Sequence, residues 1–323
     1  MRPAELARFI LRRLLVALPM IAGVAIVNFL LIRLAPGDPA QILMGDFPAP
    51  PGTLEQIRHD YGLDQPLFVQ LVRYLGEVAQ GHLGYSFANR QPVASLIMDR
   101  LGATLLLTGT ALLVASVCGV ALGIIAARRQ GSRLDTCIQV ISLSGYSLPE
   151  FWLGQMLILI FAVRLGWLPA QGSFSLRNVA PPGFLERLSY LAMPAFALSV
   201  RYLALIARIT RSAMIQALSA DYVLAARLRG ASESRLLFSH ALRNAAAPVV
   251  TVIGYNAGFV LAGSALIETV FGWPGIGRLL YSSISQRDTP VMLGILLLIS
   301  VSVAIANLAT DIVHQVIDPR VGK

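Results

Sequence analysis

Apolar positions in this chain fall into six long runs, without the alternation that marks a half-buried strand. The runs are Leu14–Ile32, Leu101–Ala127, Ile138–Val163, Leu188–Ala207, Pro248–Ile267 and Pro290–Thr310. An α-helix needs about 20 apolar residues to cross the hydrocarbon core of a bilayer. Continuous rather than alternating runs predict helices and not a β-barrel. Pro149 and Glu150 interrupt the third run, and Arg201 interrupts the fourth. The pattern therefore predicts an all-α membrane protein with six transmembrane helices.

The connecting segments differ in kind. Residues 36–100 carry turn chemistry at Pro36-Gly-Asp-Pro39 and Pro48-Ala-Pro-Pro-Gly52, followed by helical spacing over Leu54–Tyr61 and Leu67–Val78. This reads as a small, partly helical cap. Gly166–Arg187 is rich in Pro, Gly and Ser, and Phe271–Thr289 contains Gly272-Trp-Pro-Gly-Ile-Gly277. Trp167 and Trp273 fall at the depth where indoles anchor spans at the membrane–water boundary. The segment Arg208–Ala247 contains no Gly or Pro other than Gly230. Leu218, Tyr222, Ala225 and Arg229 are spaced for one helix, and Ser232–Leu242 for a second with Ser232 at its start. Gly230 between them predicts a tight turn.

Charge sets the orientation. Arg2, Arg8, Arg12 and Arg13 precede the first run, which places the N-terminus in the cytoplasm. Alternation then puts Arg128, Arg129 and Arg133 inside. Arg208, Arg211, Arg227, Arg229, Arg235 and Arg243 follow them, and Arg320 and Lys323 complete the set. Both termini are thus cytoplasmic, and residues 36–100 are external. The composition agrees, with 56% hydrophobic and 13% charged residues and a mean hydropathy of +0.68. The net charge of +9 follows membrane orientation and not a nucleic-acid surface, because the basic residues flank apolar runs. The first run also fits a cleavable signal sequence in part, but it is long for one and no small-x-small site follows it.

Two residue counts narrow the chemistry. Lys323 is the only lysine. A phosphate-binding loop needs Gly-Lys-Ser/Thr, so any ATP that drives this protein binds another chain. Cys118 and Cys137 lie in or beside apolar runs and read as small packing residues, not as a disulfide or metal pair.

The inner segment carries a recognisable motif. Asp221-Tyr-Val-Leu-Ala-Ala-Arg-Leu-Arg-Gly230, then His240-Ala-Leu-Arg-Asn244 and Pro248, resembles the coupling motif of ABC importer permeases. The likeness is greatest to the peptide/nickel branch, the dipeptide and oligopeptide permeases, and to their first permease subunit. Pro36-Gly-Asp-Pro39, Gly81-His-Leu-Gly84, Pro92-Val93, Ser147-Leu-Pro-Glu-Phe-Trp152 and Leu165-Gly-Trp-Leu-Pro169 agree in order. So do Glu268-Thr-Val-Phe271, Pro274-Gly-Ile-Gly277, Arg287-Asp288 and Asp318-Pro-Arg320. One departure stands out: Leu224 occupies the glutamate position of the general Glu-Ala-Ala motif.

The resemblance implies a type I importer fold. A cytoplasmic N-terminus and first span would cover residues 1–35, an external cap 36–100, and a five-helix permease core 101–323 with its coupling loop at 208–247. It implies three kinds of partner besides the lipid bilayer: a second related permease, two ABC ATPase subunits carrying ATP and Mg, and an external substrate-binding protein. Asp221, Tyr222, Ala225, Ala226, Arg229, Gly230, His240 and Asn244 would form the ATPase-coupling element. Small Ala225 and Ala226 would permit close approach, Gly230 would set the turn, and Arg227, Arg229 and Arg235 would make charged contacts at the rim.

Several residues keep two readings each. Arg201 is costly in an apolar run, by about 2.5–3.5 kcal/mol on insertion scales. Either it lines the translocation path and attracts a substrate carboxylate, or it sits near an interface or in an intersubunit pair. Pro149 is either a kink or a gating hinge. Asn256 and Asn307 either hydrogen-bond between helices or line the path. Gly119-x-x-x-Gly123 and Gly254-x-x-x-Gly258 read as close helix packing. Two other functions fit the residues less well. An intramembrane enzyme lacks support because none of His59, His82, His240 and His314 lies mid-span. An ion-coupled carrier or channel has only Arg201 and the Pro149 break in its favour.

Overall fold

The computed structural model describes residues 3–34, 52–60, 62–86, 88–173 and 183–317. The motif segments Pro36–Pro39 and Asp318–Arg320 lie outside them. Helices dominate: α1 (Pro3–Leu34), α2 (Thr53–Asp60), α3 (Leu67–Ala79), α4 (Val93–Arg128), α5 (Arg133–Ser147) and α6 (Glu150–Leu157), the last extended by a π-helical stretch, Ile158–Arg164. After these come α7 (Phe184–Leu218), α8 (Asp221–Leu228) and α9 (Glu233–Arg235), which runs through π-helical Leu236–Ala241 into α10 (Leu242–Gly263). The chain finishes with α11 (Ala265–Val270), α12 (Ile276–Ser285) and α13 (Thr289–Ile317). A two-residue hairpin, β1 (Tyr85–Ser86) with β2 (Gln91–Pro92), precedes α4.

Among the described residues, five helices are long and apolar enough to span a membrane, and α5 with α6 and its extension makes a sixth if the bent pair is counted as one span. The break differs from a simple kink. The two halves meet at 99°. Leu148 is extended, with ψ 131°, because the ring of Pro149 disfavours helical backbone in the residue before it. Pro149 itself stands outside the second helix as its N-terminal cap residue, where its missing N–H costs nothing.

The inner segment also differs from the expected helix–turn–helix. Helix α7 does not stop at Ala207 but continues unbroken to Leu218, a length of roughly 52 Å at 1.5 Å per residue. Leu218 thus belongs to α7 and not to the helix of Tyr222. On the other side, Pro248 lies within α10 and not at its start. Residues from Glu233 to Phe259 make one continuous span. The fifth apolar run is divided instead at Ser264, between α10 and α11.

The chain packs as two units, one of Met1–Leu101 with Leu279–Val301 and one of Gly102–Arg278 with Ser302–Lys323. In the first, the hairpin is fastened to the start of α13. The Ser86 hydroxyl, fully buried, donates to the Asp288 carboxylate at 2.5 Å, and the Asn89 backbone N–H donates to Ser86 Oγ at 3.0 Å. A Cβ on Gly294 would stand 2.7 Å from the Val93 side chain, so glycine lets α13 close on α4 there. The motif pieces Gly81–Gly84, Pro92-Val93 and Arg287-Asp288 therefore meet in one place, as structural joints.

In the second unit, α7 is the centre. Leu198, Ile206 and Met214 along it are fully buried. Both glycine pairs prove to be packing positions. A Cβ on Gly123 would lie 2.5 Å from Thr210 Cβ on α7, and one on Gly254 would overlap the Thr310 side chain on α13. Two expectations fail here. Trp273 is no boundary anchor: it is 3% exposed, and its indole N–H donates to the Ala103 carbonyl at 2.9 Å. Trp167, 70% exposed, keeps that reading. Cys118 and Cys137 are exposed and so do not fill this chain's own core.

Candidate functional site

The inner turn is built from α8, Gly230 and the start of α9. Helix α8 closes with paired backbone bonds around a left-handed glycine: Gly230 N–H donates to Arg227 O at 3.0 Å and Ala231 N–H to Ala226 O at 3.1 Å, with Gly230 at φ +82°. This is the Schellman arrangement, which only glycine and, less well, asparagine enter without strain. Ser232 opens the next helix, its side-chain oxygen accepting from Arg235 N–H at 3.4 Å. Arg227 and Glu233 face one another across the turn at 3.6 Å, both well exposed. Such a surface pair is worth about 0–1 kcal/mol, so the turn is held by its backbone and not by this contact.

Helix α8 has one buried face. Val223 and Ala226 pack with Leu236 of the π-helical turn and against Leu218 and Ala231. Asp221, Tyr222, Leu224, Ala225, Leu228 and Arg229 are exposed. The two alanines thus have different roles. Ala225 lies on the open face. Ala226, 3% exposed, is instead a packing residue that lets α8 approach the helix behind it. Leu228, 80% exposed, and Leu224, 56% exposed, give the open face an apolar character unusual for a solvated turn.

Behind the turn, the element is joined firmly to the spans. Leu237, Ala241 and Ala245 pack with Ile124, Ala127, Met214 and Ala217 from α4 and α7. His240 is half-buried in the π-helical turn, and its carbonyl accepts from the exposed Asn244 side chain at 3.0 Å. Sequence reasoning placed Arg211 among the inner positive charges and missed its partner. Arg211 Nε and Nη2 reach the two oxygens of Asp135 at 2.6 and 2.7 Å. Asp135 is 1% exposed and also accepts from Gly131 N–H at 2.9 Å and Gln139 Nε2 at 3.0 Å. Asp135 is the sole acid in residues 128–137, a signal that the charge count passed over.

The candidate path residues separate. Arg201 is exposed on α7, its guanidinium carbon 5.9 Å from the centre of the Tyr146 ring on α5, and it interacts electrostatically with Glu150. Arg208 lies 6.0 Å from the same ring. An open cavity of about 170 Å³ lies beside them, lined by Gln139, Ser142, Tyr146, Arg208 and Arg211 among others. Asn256 is not on an open face: it is 4% exposed, and among the described residues its Nδ2 has no hydrogen-bond partner. Asn307 is exposed. Pro149 marks the 99° break just before Glu150.

Comparison with known proteins places this architecture. Residues 119–323 match the family described as binding-protein-dependent transport system inner membrane component, and residues 6–108 match its N-terminal counterpart. The chain is 42% identical to the di/tripeptide transport system permease protein DppB of Pseudomonas aeruginosa, over 97% of this chain and 98% of that one. It is 37% identical to the oligopeptide transport system permease protein AppB of Bacillus subtilis, covering 98% and 99%. It is 39% identical to the glutathione transport system permease protein GsiC of Escherichia coli, covering 97% and 98%. Among solved structures, the inward-facing MetNI methionine ABC transporter superposes with a TM-score of 0.55 at 19% identity, covering 69% of this chain and 96% of that one. An amino acid ABC transporter gives 0.51 at 16%, covering 75% and 97%. That likeness establishes the fold alone. With the matched families spanning nearly the whole length and relatives aligned end to end, the chain belongs to the inner membrane components of binding-protein-dependent transport systems, as a multi-pass permease subunit of an ABC importer.

Proposed function

We propose that this chain is the first permease subunit of an importer for di- or oligopeptides. It would work with a second, related permease, two ATPase subunits that hold ATP and Mg, and an external binding protein that selects the substrate. The observation that carries the reading is the end-to-end likeness to permeases named for dipeptides and oligopeptides. A glutathione permease, itself named for a small peptide-like solute, stands at similar distance.

In this mechanism, ATP-driven closure of the ATPase pair pushes on α8. The exposed face of Asp221, Tyr222, Leu224, Ala225, Leu228 and Arg229 forms the contact. Leu224, standing where the general motif has glutamate, makes that contact more apolar and less charged. Gly230 fixes the angle of the lever, and the packing of Leu237, Ala241 and Ala245 on α4 and α7 passes its motion to the spans. His240 and Asn244 stiffen the root of the lever. Rigid-body rocking then alternates access, with the break at Pro149 as a hinge. Arg201 lines the path and draws the substrate carboxylate inward. Asn256, buried here, would reach the path only after such a movement.

The test is reconstitution of the full complex in proteoliposomes with a radiolabelled dipeptide. Uptake that requires ATP, Mg and the binding protein supports the proposal. Uptake by this chain and its permease partner without ATPase subunits overturns it in favour of a secondary carrier. An ATP-dependent complex that ignores peptides overturns the substrate class alone.

A further inference from the structure

Helix α3 (Leu67–Ala79), in the segment read from sequence as an external cap, has an apolar surface that none of the described residues covers. Phe68 is 74% exposed and Val72, one turn on, is 53% exposed. Its polar residues Gln70, Arg73 and Glu77 fall within a wedge of about 60° at 100° per residue. On that side Gln70 is tied to the chain's own loop, while Arg73 and Glu77 are exposed. Gln70 Nε2 donates to the Leu63 and Gln65 carbonyls at 3.1 and 2.7 Å, and a Cβ on Gly62 would touch the Arg73 guanidinium at 3.1 Å.

The neighbouring element identifies the occupant of the apolar side. Tyr74 stacks on Phe29 of α1, ring centres 5.5 Å apart. Phe29 belongs to the apolar span Leu11–Leu31, of which only 12% is buried, and Val27 and Leu31 beside it are 53% and 62% exposed. A largely uncovered span of this hydropathy is solvated by acyl chains. Tyr74 packs at the depth of those exposed residues, so α3 sits at the level of the outer bilayer boundary. Arg33, its guanidinium 5.5 Å from the Phe29 ring centre, marks where that boundary begins.

From this geometry we propose that α3 is an in-plane membrane helix, with Phe68 and Val72 inserted among lipid chains and Arg73 and Glu77 toward the aqueous side. The helix would act as an outrigger that fixes α1 and the base of the external segment relative to the membrane surface. This inference rests on unit geometry alone and stands whether or not peptides are the cargo.

The experiment uses the full chain assembled with its partner permease in liposomes, with Cys118 and Cys137 replaced by serine. Single cysteines at Phe68→Cys, Val72→Cys and Glu77→Cys carry a bimane label. Brominated phosphatidylcholine should quench positions 68 and 72 at least twofold more than position 77, and aqueous iodide should show the reverse order. Phe68 is 74% exposed among the described residues, so its replacement should leave the fold intact. Equal iodide quenching at all three positions overturns the proposal. So does iodide access at 68 and 72 that is lost only when the external binding protein is added, which would assign the face to a protein partner. Lack of quenching at 68 and 72 by either agent would assign it to the partner permease, and would overturn the proposal as well.

Discussion

Thr104 and Glu268, 164 residues apart, are joined by a 2.8 Å hydrogen bond in a site with no access to solvent. Glu268 Oε1 also accepts from Ser264 Oγ at 3.0 Å, and Oε2 from Arg278 N–H at 2.9 Å. Thr104 Oγ1 in turn accepts from Ile276 N–H at 2.7 Å. The carboxylate thereby caps the start of α12 and ties the Phe271–Gly277 turn to α4. Gly275 is required beside it, since a Cβ there would collide with the carboxylate. Glu268-Thr-Val-Phe271 and Pro274-Gly-Ile-Gly277, two of the motifs that carried the resemblance, are the two halves of this clamp.

Replacing Glu268 by alanine leaves several buried donors without an acceptor. Unpaired buried groups cost about 1–3 kcal/mol each, so E268A should lower the melting temperature and membrane yield severely. Glu268→Gln keeps the shape but turns an amide NH₂ toward a donor, and should lose roughly half as much. In a double-mutant cycle, Thr104→Ala should cost less once Glu268 is gone than it does alone, the remainder being the Ile276 N–H it strands. Fluorescence-detected thermal unfolding of the detergent-solubilised chain reads all three. Full additivity of T104A and E268A would mean that the two residues do not act through their bond.

Gly230 offers a cleaner test of the lever. No atom lies within 4 Å of a Cβ built on it, so only its positive φ opposes a side chain. Gly230→Ala should cost about 1–2 kcal/mol locally, leave insertion normal, and reduce the ratio of peptide imported to ATP hydrolysed. Gly230→Asn, which tolerates the left-handed region, should recover much of the loss. Equal defects in alanine and asparagine variants would show that space near the ATPase, and not the angle of the turn, is what glycine provides.

The sequence made the number of spans and the position of the turn readable because both rest on local rules, run length and a glycine between two helical patterns. What it hid follows from contacts made at a distance. Pro248 looked like a boundary, yet π-helical Leu236–Ala241 lies in the same unbroken stretch, which continues through it to Gly263. Ala225 and Ala226 are identical in composition and opposite in role, since one lies on the buried face of α8 and one on the open face. Trp273 resembled an anchor because its loop is polar and glycine-rich, but its indole enters the core to reach Ala103. Arg211 looked like one more inside charge until the fold brought Asp135 to it.

That ion pair carries its own expectation. Asp135 is buried and Arg211 only partly so, and removing the arginine takes two donors from that carboxylate, at about 1–3 kcal/mol. Arg211→Ala should therefore destabilise the chain more than Arg208→Ala, whose guanidinium lies beside the Tyr146 ring. Comparing yields and thermal midpoints of the two variants, with Arg211→Ala/Asp135→Asn as partial rescue, checks this. A double variant no better than R211A alone would show that Asp135 holds Gly131 and Gln139 independently of the arginine.

Glycine at position 254 tests whether helix packing limits movement. A side chain there would occupy the space of Thr310, whose hydroxyl donates back to the Ala306 carbonyl at 2.7 Å. Overpacking of this kind costs about 1–3 kcal/mol. Gly254→Ala should lower stability, and adding Thr310→Ala should restore it by emptying the same volume. Gly258→Ala, where a Cβ would sit at 3.5 Å from its neighbours, should be nearly silent. If transport falls in G254A/T310A while thermal stability returns, α10 and α13 must slide past one another during the cycle. If uptake and stability recover together, the pair is a static joint and the moving parts lie elsewhere, toward α8 and the break at Pro149.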